Sequence, residues 1–372
     1  MEGKVDTDKL FPTDLPEREW VEFAAQGFSQ PVTGVIYRRD CIVASGMPLG
    51  GVDTGCIDLE TSGLLGYYTI FNSHIPRGGP INLPFLGMSL GGRTWVFAIK
   101  RTKLDESASV DPTTGKAKPA PWVKENYAPP DLTLEGVETV NEIHYWGHYP
   151  VADLEYELDA PISVGLRAWA PFLPGDIQSS LLPGAVFEVH LRNPSDTPQQ
   201  GTLAFSFPGP NEVEAGGKWF ERTRVIGRFN GVTVSARYSS YALGVVDERE
   251  IRVGGALGND GLAWVEVAKA LPVATADQPG ASIAVDFALA PGAVRVVRFV
   301  LAWHSPKWKG SGTLAPVNEA YVAGQRDRMP ASSNYYTHMY AKRYESAWRA
   351  AEILASNHED LLKRVLAWQE VI

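Results

Sequence analysis

The chain has 372 residues, 44% of them hydrophobic and 21% charged, the make-up of an ordinary globular protein long enough to bury a large core. Its formal net charge of −9 argues against a nucleic-acid partner, because phosphate binding relies on clustered Lys and Arg. No apolar run approaches the ~20 residues of a transmembrane helix. The charged start, Met1-Glu2-Gly3-Lys4-Val5-Asp6, has no signal-peptide core. With only Cys41 and Cys56 present, a disulfide scaffold is excluded; reduced thiols and a cytoplasmic location are expected, a single bond being the alternative.

In chain order, the polar segment from Met1 to Glu19 reads as an arm on the surface. Thr33–Tyr37 reads as a strand, or as an approach to a glycine-rich loop. That loop opens the stretch from Gly46 to Asn72, GMPLGGVDTGCIDLETSGLLGYYTIFN, where Gly46, Gly50, Gly51, Gly55, Gly63 and Gly66 punctuate two short apolar runs. Glycine at that density serves positive φ or close backbone approach. It does not fit a phosphate loop, which needs Lys and Ser/Thr after its last glycine where this chain has Cys56-Ile57. No G-x-G-x-x-G is present either, so the expected local structure is a glycine-rich entry, strand Cys56–Leu59, a Thr61-Ser62-Gly63 turn and strand Leu65–Phe71.

His74 to Pro84 is extended loop chemistry, Trp95–Ile99 a strand, and Lys103 to Pro130 a long insertion. From Leu132 the pattern settles into period two. The expected strands are Val137–Tyr145, Ala152–Leu158, Ile162–Trp169, Gly184–Leu191, Gly201–Phe207, Val232–Arg237, Ala242–Val246, Leu262–Val267, Ala281–Leu289 and Ala293–Ala302, joined by Gly/Pro/Asn/Asp turns. Such a run predicts a mainly β protein, one large antiparallel β-sandwich of supersandwich type over residues 1–330. Near Ser332 the period turns helical: one helix is expected over Tyr335–Ala355 and a second from the capping-box pair Ser356 and Glu359, making 331–372 a helical exit segment.

Few residues offer chemistry by their spacing. His144 and His148 with Glu142 or Asp153 form a possible metal set, but i and i+4 on a strand sit ~13 Å apart. Asp58 and Glu60, ~6.6 Å apart along one strand face, have the spacing of an inverting carboxylate pair, yet nothing in the sequence marks either as desolvated. His304-Ser305 lacks the nucleophile elbow of a hydrolase triad. The expectation is accordingly no cofactor and no metal. Of the eleven Trp residues, some are candidates for stacking on sugar rings and most for core anchors.

The Gly46–Asn72 stretch resembles the opening motif of glycoside hydrolase family 116, the bile-acid β-glucosidase or non-lysosomal glucosylceramidase type. Tyr149-Pro150-Val151-Ala152 running into Ala168-Trp169-Ala170-Pro171-Phe172-Leu173-Pro174-Gly175-Asp176, and Leu301-Ala302-Trp303-His304, agree with the family in the same order. The resemblance implies an N-terminal β-sandwich followed by a C-terminal (α/α)6 barrel that holds both catalytic carboxylates of a retaining β-glycosidase. This chain resembles the first part, ends where the barrel would begin, and has no position for either carboxylate. The family-level expectation is a noncatalytic half of such an enzyme, with a helical catalytic domain or chain as partner and a glycan as a further candidate ligand. Gly50, Gly51, Asp53, Thr54, Gly55, Phe71 and Asn72 are the motif and interface residues, catalytic residues being absent. The alternatives are a free-standing carbohydrate-binding or scaffold protein and, third, a small hydrolase using Asp58 and Glu60.

Overall fold

The computed structural model describes residues 20–23, 32–35, 46–73, 77–99, 132–309 and 335–369. The expected arm, Cys41, His74 and the insertion at 103–130 lie outside them. Two large sheets face each other. The first runs, edge to edge, Glu221–Val225, Phe229–Ser235, Ser240–Val246, Val294–His304, Gly184–Arg192, Ser163–Trp169, Val151–Glu157 and Glu142–His148; the second runs Arg252–Gly254, Ala281–Leu289, Gln199–Phe207, Leu86–Leu90, Arg93–Ile99 and Glu138–Val140. All pairings are antiparallel except the last, where Trp95 lies beside Glu138 in parallel. The period-two runs therefore specify the sandwich as expected. In Ala281–Leu289, for example, Ala281, Ile283, Val285, Phe287 and Leu289 point into the core while Asp286 faces out to Arg252.

Between the sheets, Phe85, Phe187, Phe205 and Phe299 pack at ring separations of 5.1 to 5.7 Å, tilted or edge-on as aromatic quadrupoles favour. Among the described residues, two outer layers flank the sheets. Leu132, Leu134, Leu257, Trp264 and Val267 cover Val96, Ala98, Ala204 and Ala284 behind the second sheet. The helix Ala347–Gln369 covers Trp169, Val186, Phe229, Ala242, Val300 and Ala302 behind the first.

Four expectations fail for identifiable reasons. Leu262–Val267 is a helix at Gly261–Val265 with a 3-10 turn at Glu266–Ala268; Asp260 caps it by accepting from the Ala263 amide, and Trp264 and Val267, buried three apart, satisfy a helical face as well as a strand face. Val137–Tyr145 is not one strand. Asn141, whose amide donates to the Glu157 carbonyl, separates two strands that join different sheets. The stretch read as a helix from Tyr335 holds a strand, Tyr335–Thr337, paired with Lys307–Lys309, and a 3-10 turn at Tyr340–Lys342. No second helix begins at Ser356: one 23-residue helix runs through it. Its first turn is stabilised by the Ser346 hydroxyl accepting from the Arg349 amide. Ala347, Ala350, Ala351, Leu354, Leu361 and Val365 carry one buried stripe across the expected break. Met47–Leu49, Leu86–Leu90, Glu221–Val225 and Arg252–Gly254 are strands that the sequence pattern did not announce.

Candidate functional site

The glycine stretch folds into a three-stranded antiparallel sheet, Met47–Leu49, Ile57–Leu59 and Leu65–Tyr68. Its loop at 50–55 is fixed by the large sandwich. Thr54 donates its hydroxyl to the Gly51 carbonyl at 2.8 Å, and the Trp303 indole donates to the Thr54 carbonyl at 2.6 Å. Gly51 lies flat against the 180–182 turn, where the Val52 amide donates to the Ser180 carbonyl; a side chain at Gly51 would meet the Leu182 carbonyl oxygen at 2.4 Å. Phe71 is buried, edge-on to Tyr68.

Asp53 and Asn72, both at positive φ, end up on either side of one imidazole. Asn72 Nδ2 donates to the Lys307 carbonyl at 2.9 Å, which leaves Asn72 Oδ1 as the acceptor 2.7 Å from His338 Nε2, so that nitrogen carries the proton. His338 Nδ1 lies 3.9 Å from the Asp53 carboxylate. The ring stacks on Tyr340 at 5.5 Å and borders Trp308, which in turn packs on Tyr336 at 5.2 Å. Tyr340 reaches back to accept from the Ser305 amide at 2.7 Å. The glycine loop thus meets two segments more than 230 residues further along the chain. The polar centre is edged by exposed apolar side chains, Val52, Met339, Tyr336 and Trp308, and Ile177, itself exposed, lies one helical turn from Ser180. Such an arrangement is suited to covering by another surface or to stacking on a flat ligand.

The structure places Gly50, Gly51, Asp53, Thr54 and Gly55 in the loop against Trp303 and the 180–182 turn, Asn72 against His338, and Phe71 in the core beside Tyr68. His338, Trp308 and Tyr336 were missed; the helical reading of 335–355 concealed them, although four aromatic rings between Tyr335 and Tyr340 are more than one helix face needs.

Asp58 is not the solvated carboxylate expected. It is buried, with Arg77 Nη2 at 2.8 Å and the Arg77 guanidinium over the Tyr67 ring. Burial pushes its carboxyl above the ordinary range although Arg77 pulls it back. The Glu60 carboxylate instead lies against Gly66, where an added Cβ would strike Oε1. His304-Ser305 is no triad either. Burial pushes the His304 imidazole down and its ring packs on Tyr340, while the Ser305 hydroxyl is buried without a hydrogen bond. Asp153 is held by Arg167 through two bonds of 2.8 Å.

An acid whose folded-state pKa lies above its unfolded value gives stability that is present at low pH and lost as pH rises through the folded value. Arg77→Met removes the charge that opposes this shift. The variant is expected to lose ground to the parent progressively as pH climbs above 3.8, which melting curves at about pH 4 and about pH 7 would register. A deficit that is constant, or that shrinks with pH, rules the account out.

Over residues 46–361 the chain matches the family model described as beta-glucosidase 2, glycosyl-hydrolase family 116 N-term. Among solved structures it is similar to a putative kojibiose phosphorylase from human microbiome (10% identity, 62% of this chain and 25% of that one, TM-score 0.31). It is similar also to a galactose mutarotase-like protein from Lactobacillus casei (8%, 68% and 97%, 0.31) and to a GH36 alpha-galactosidase from Geobacillus stearothermophilus (12%, 68% and 38%, 0.24). It spans 25% of the phosphorylase and 38% of the galactosidase. The comparison with curated proteins found no match. The family match covers most of the chain, includes the glycine stretch, the Trp303 strand and the segment bearing His338, and agrees with the sandwich they build: the chain belongs to glycosyl-hydrolase family 116 and carries its N-terminal domain.

Proposed function

We propose that this chain is the noncatalytic β-sandwich half of a retaining β-glucosidase or glucosylceramidase that acts in the cytoplasm with an (α/α)6-barrel catalytic domain or chain. In this reading residues 1–330 form the sandwich part and 331–372 the segment leading toward the barrel. One observation carries it: the family motif residues converge with His338 on a polar centre rimmed by exposed Val52, Tyr336, Met339 and Trp308, a surface built to be covered. The adjoining rings of Trp308 and Tyr336 favour a second reading, a carbohydrate-binding module that stacks sugars there.

The small-hydrolase reading has little support. Retaining hydrolysis uses two carboxyl groups ~5–5.5 Å apart across the scissile bond, and Asp58 is already bound by Arg77. An open surface hollow along one side of the helix, at Glu359, Leu362, Lys363, Leu366 and Ala367, and a cavity of about 30 Å³ beside Pro84 and Pro208 are lined by neither Asp58 nor Glu60.

Turnover of p-nitrophenyl β-glucoside by the purified chain, alone and mixed with a family barrel, tests the proposal. Background rates alone, with co-elution and activity on mixing, are expected, since loss of a nucleophile removes several orders of magnitude. Robust turnover by the lone chain that Asp58→Asn or Glu60→Gln abolishes sinks the proposal. Saturable glucoside binding by the chain, with no affinity for the barrel, supports the sugar-binding module in its place.

A further inference from the structure

We propose that Glu142, His144 and Glu157 form a binding site for a divalent transition-metal ion, zinc in particular, on the outer face of the eight-stranded sheet. Reasoning along a single strand misses this set, because its third member comes from the neighbour. Glu142–His148 is an edge strand, and it pairs with Val151–Glu157 in the register that places Glu142 opposite Glu157 and His144 opposite Glu155. The period of two puts Glu142, His144 and Glu157 on one face. One ligand atom from each lies within 4.8 Å of the others, and His144 Nε2 is 2.8 Å from Glu157 Oε1.

A tetrahedral zinc site with bonds of about 2.0–2.2 Å needs its ligand atoms about 3.3–3.6 Å apart. The observed spacing brackets that range, and His144 and Glu157, each partly exposed, have the freedom to make the adjustment. Two carboxylates set directly opposite one another across antiparallel strands repel, and a cation between them turns that repulsion into attraction. The Trp146 ring, stacked on the His144 ring at 6.2 Å and 22°, holds the imidazole plane. An imidazole in the donor set favours zinc over magnesium or calcium, which prefer oxygen ligands throughout. Three protein ligands leave the fourth position to water. Asp153, two residues beyond Glu155 on the same face, is committed to Arg167 and takes no part.

Calorimetric titration of the chelator-stripped full chain with zinc chloride, and with magnesium and calcium chloride in parallel, tests the site. One zinc ion per chain is expected to bind, with a rise in melting temperature and a shift of the His144 ring resonances. Magnesium and calcium should bind far more weakly. His144→Ala and Glu157→Gln should each weaken zinc at least about tenfold, because even outer-sphere changes cost 10–100-fold at metal sites. Glu155→Gln, on the same face but outside the set, should leave zinc affinity unchanged. The proposal is overturned by absence of saturable zinc binding, by binding that survives in both ligand variants, or by equal response to calcium.

Discussion

Trp303→Ala is expected to cost about 3–5 kcal/mol, the toll of deleting a fully buried indole, and to loosen the family motif more than the rest of the sandwich. Trp303 is wholly buried at the end of the strand Val294–His304. Its backbone amide donates to the Pro183 carbonyl and its indole to the Thr54 carbonyl. Its ring edge also lines Gly50, where an added Cβ would meet the Gly55 carbonyl oxygen at 2.3 Å and Trp303 Cζ2 at 3.0 Å. Trp303→Phe separates bulk from hydrogen bonding. It keeps most of the ring but leaves the Thr54 carbonyl without its donor, at about 1–3 kcal/mol for a buried unsatisfied group. Urea unfolding followed by far-ultraviolet dichroism gives both values. A Phe variant as stable as the parent shows that the indole bond does not hold the loop.

Gly51→Val is expected to lower stability by about 1–3 kcal/mol or more, the cost of forcing atoms into a packed site. The sequence offered two reasons for the glycines, positive φ and close backbone approach. Positive φ occurs at Gly50 and Gly55; at Gly51 the constraint is close approach, with the Leu182 and Ser180 carbonyl oxygens 2.4 and 2.8 Å from any added Cβ. Carbonyl oxygens belong to the backbone and do not rotate away as a side chain does. Gly51→Ala should therefore be nearly as damaging as Gly51→Val. Gly91→Ala, at a turn with φ +60° and open space around it, is the control for backbone strain alone, at roughly 1 kcal/mol. An unchanged melting temperature in Gly51→Ala defeats this account. Should the chain fold and yet lose barrel affinity, the motif loop would be part of the covered face as well as of the scaffold.

The amino-acid order was enough to settle the class of fold and the family, because both rest on local signals. Alternation along Ala281–Leu289 or Gly184–Arg192 writes a two-faced strand wherever it occurs, and the glycine stretch has few rivals as a pattern. Ends and exceptions were set elsewhere. Leu262–Val267 alternates like a strand, and only the cap from Asp260 and the cover it gives to the second sheet make it a helix. Ser356 and Glu359 have the spacing of a helix start, but the stripe that lies on Val300 and Ala302 runs straight through them, and packing outweighs a cap worth about 1 kcal/mol. The candidate site divides the same way. Its glycine-loop half, Gly50 to Asn72, lies in one stretch of the chain; the other half, Trp308, Tyr336 and His338, comes to it only on folding, where Asn72 bonds to the Ser305 carbonyl and to His338 across more than 230 residues. The partnership of Glu142 with Glu157 depends on strand register, and that of Asp58 with Arg77 on the path of a loop. These are distances between parts of the chain that only the folded sandwich brings together, since periodicity says which way a side chain faces and nothing about what it will meet.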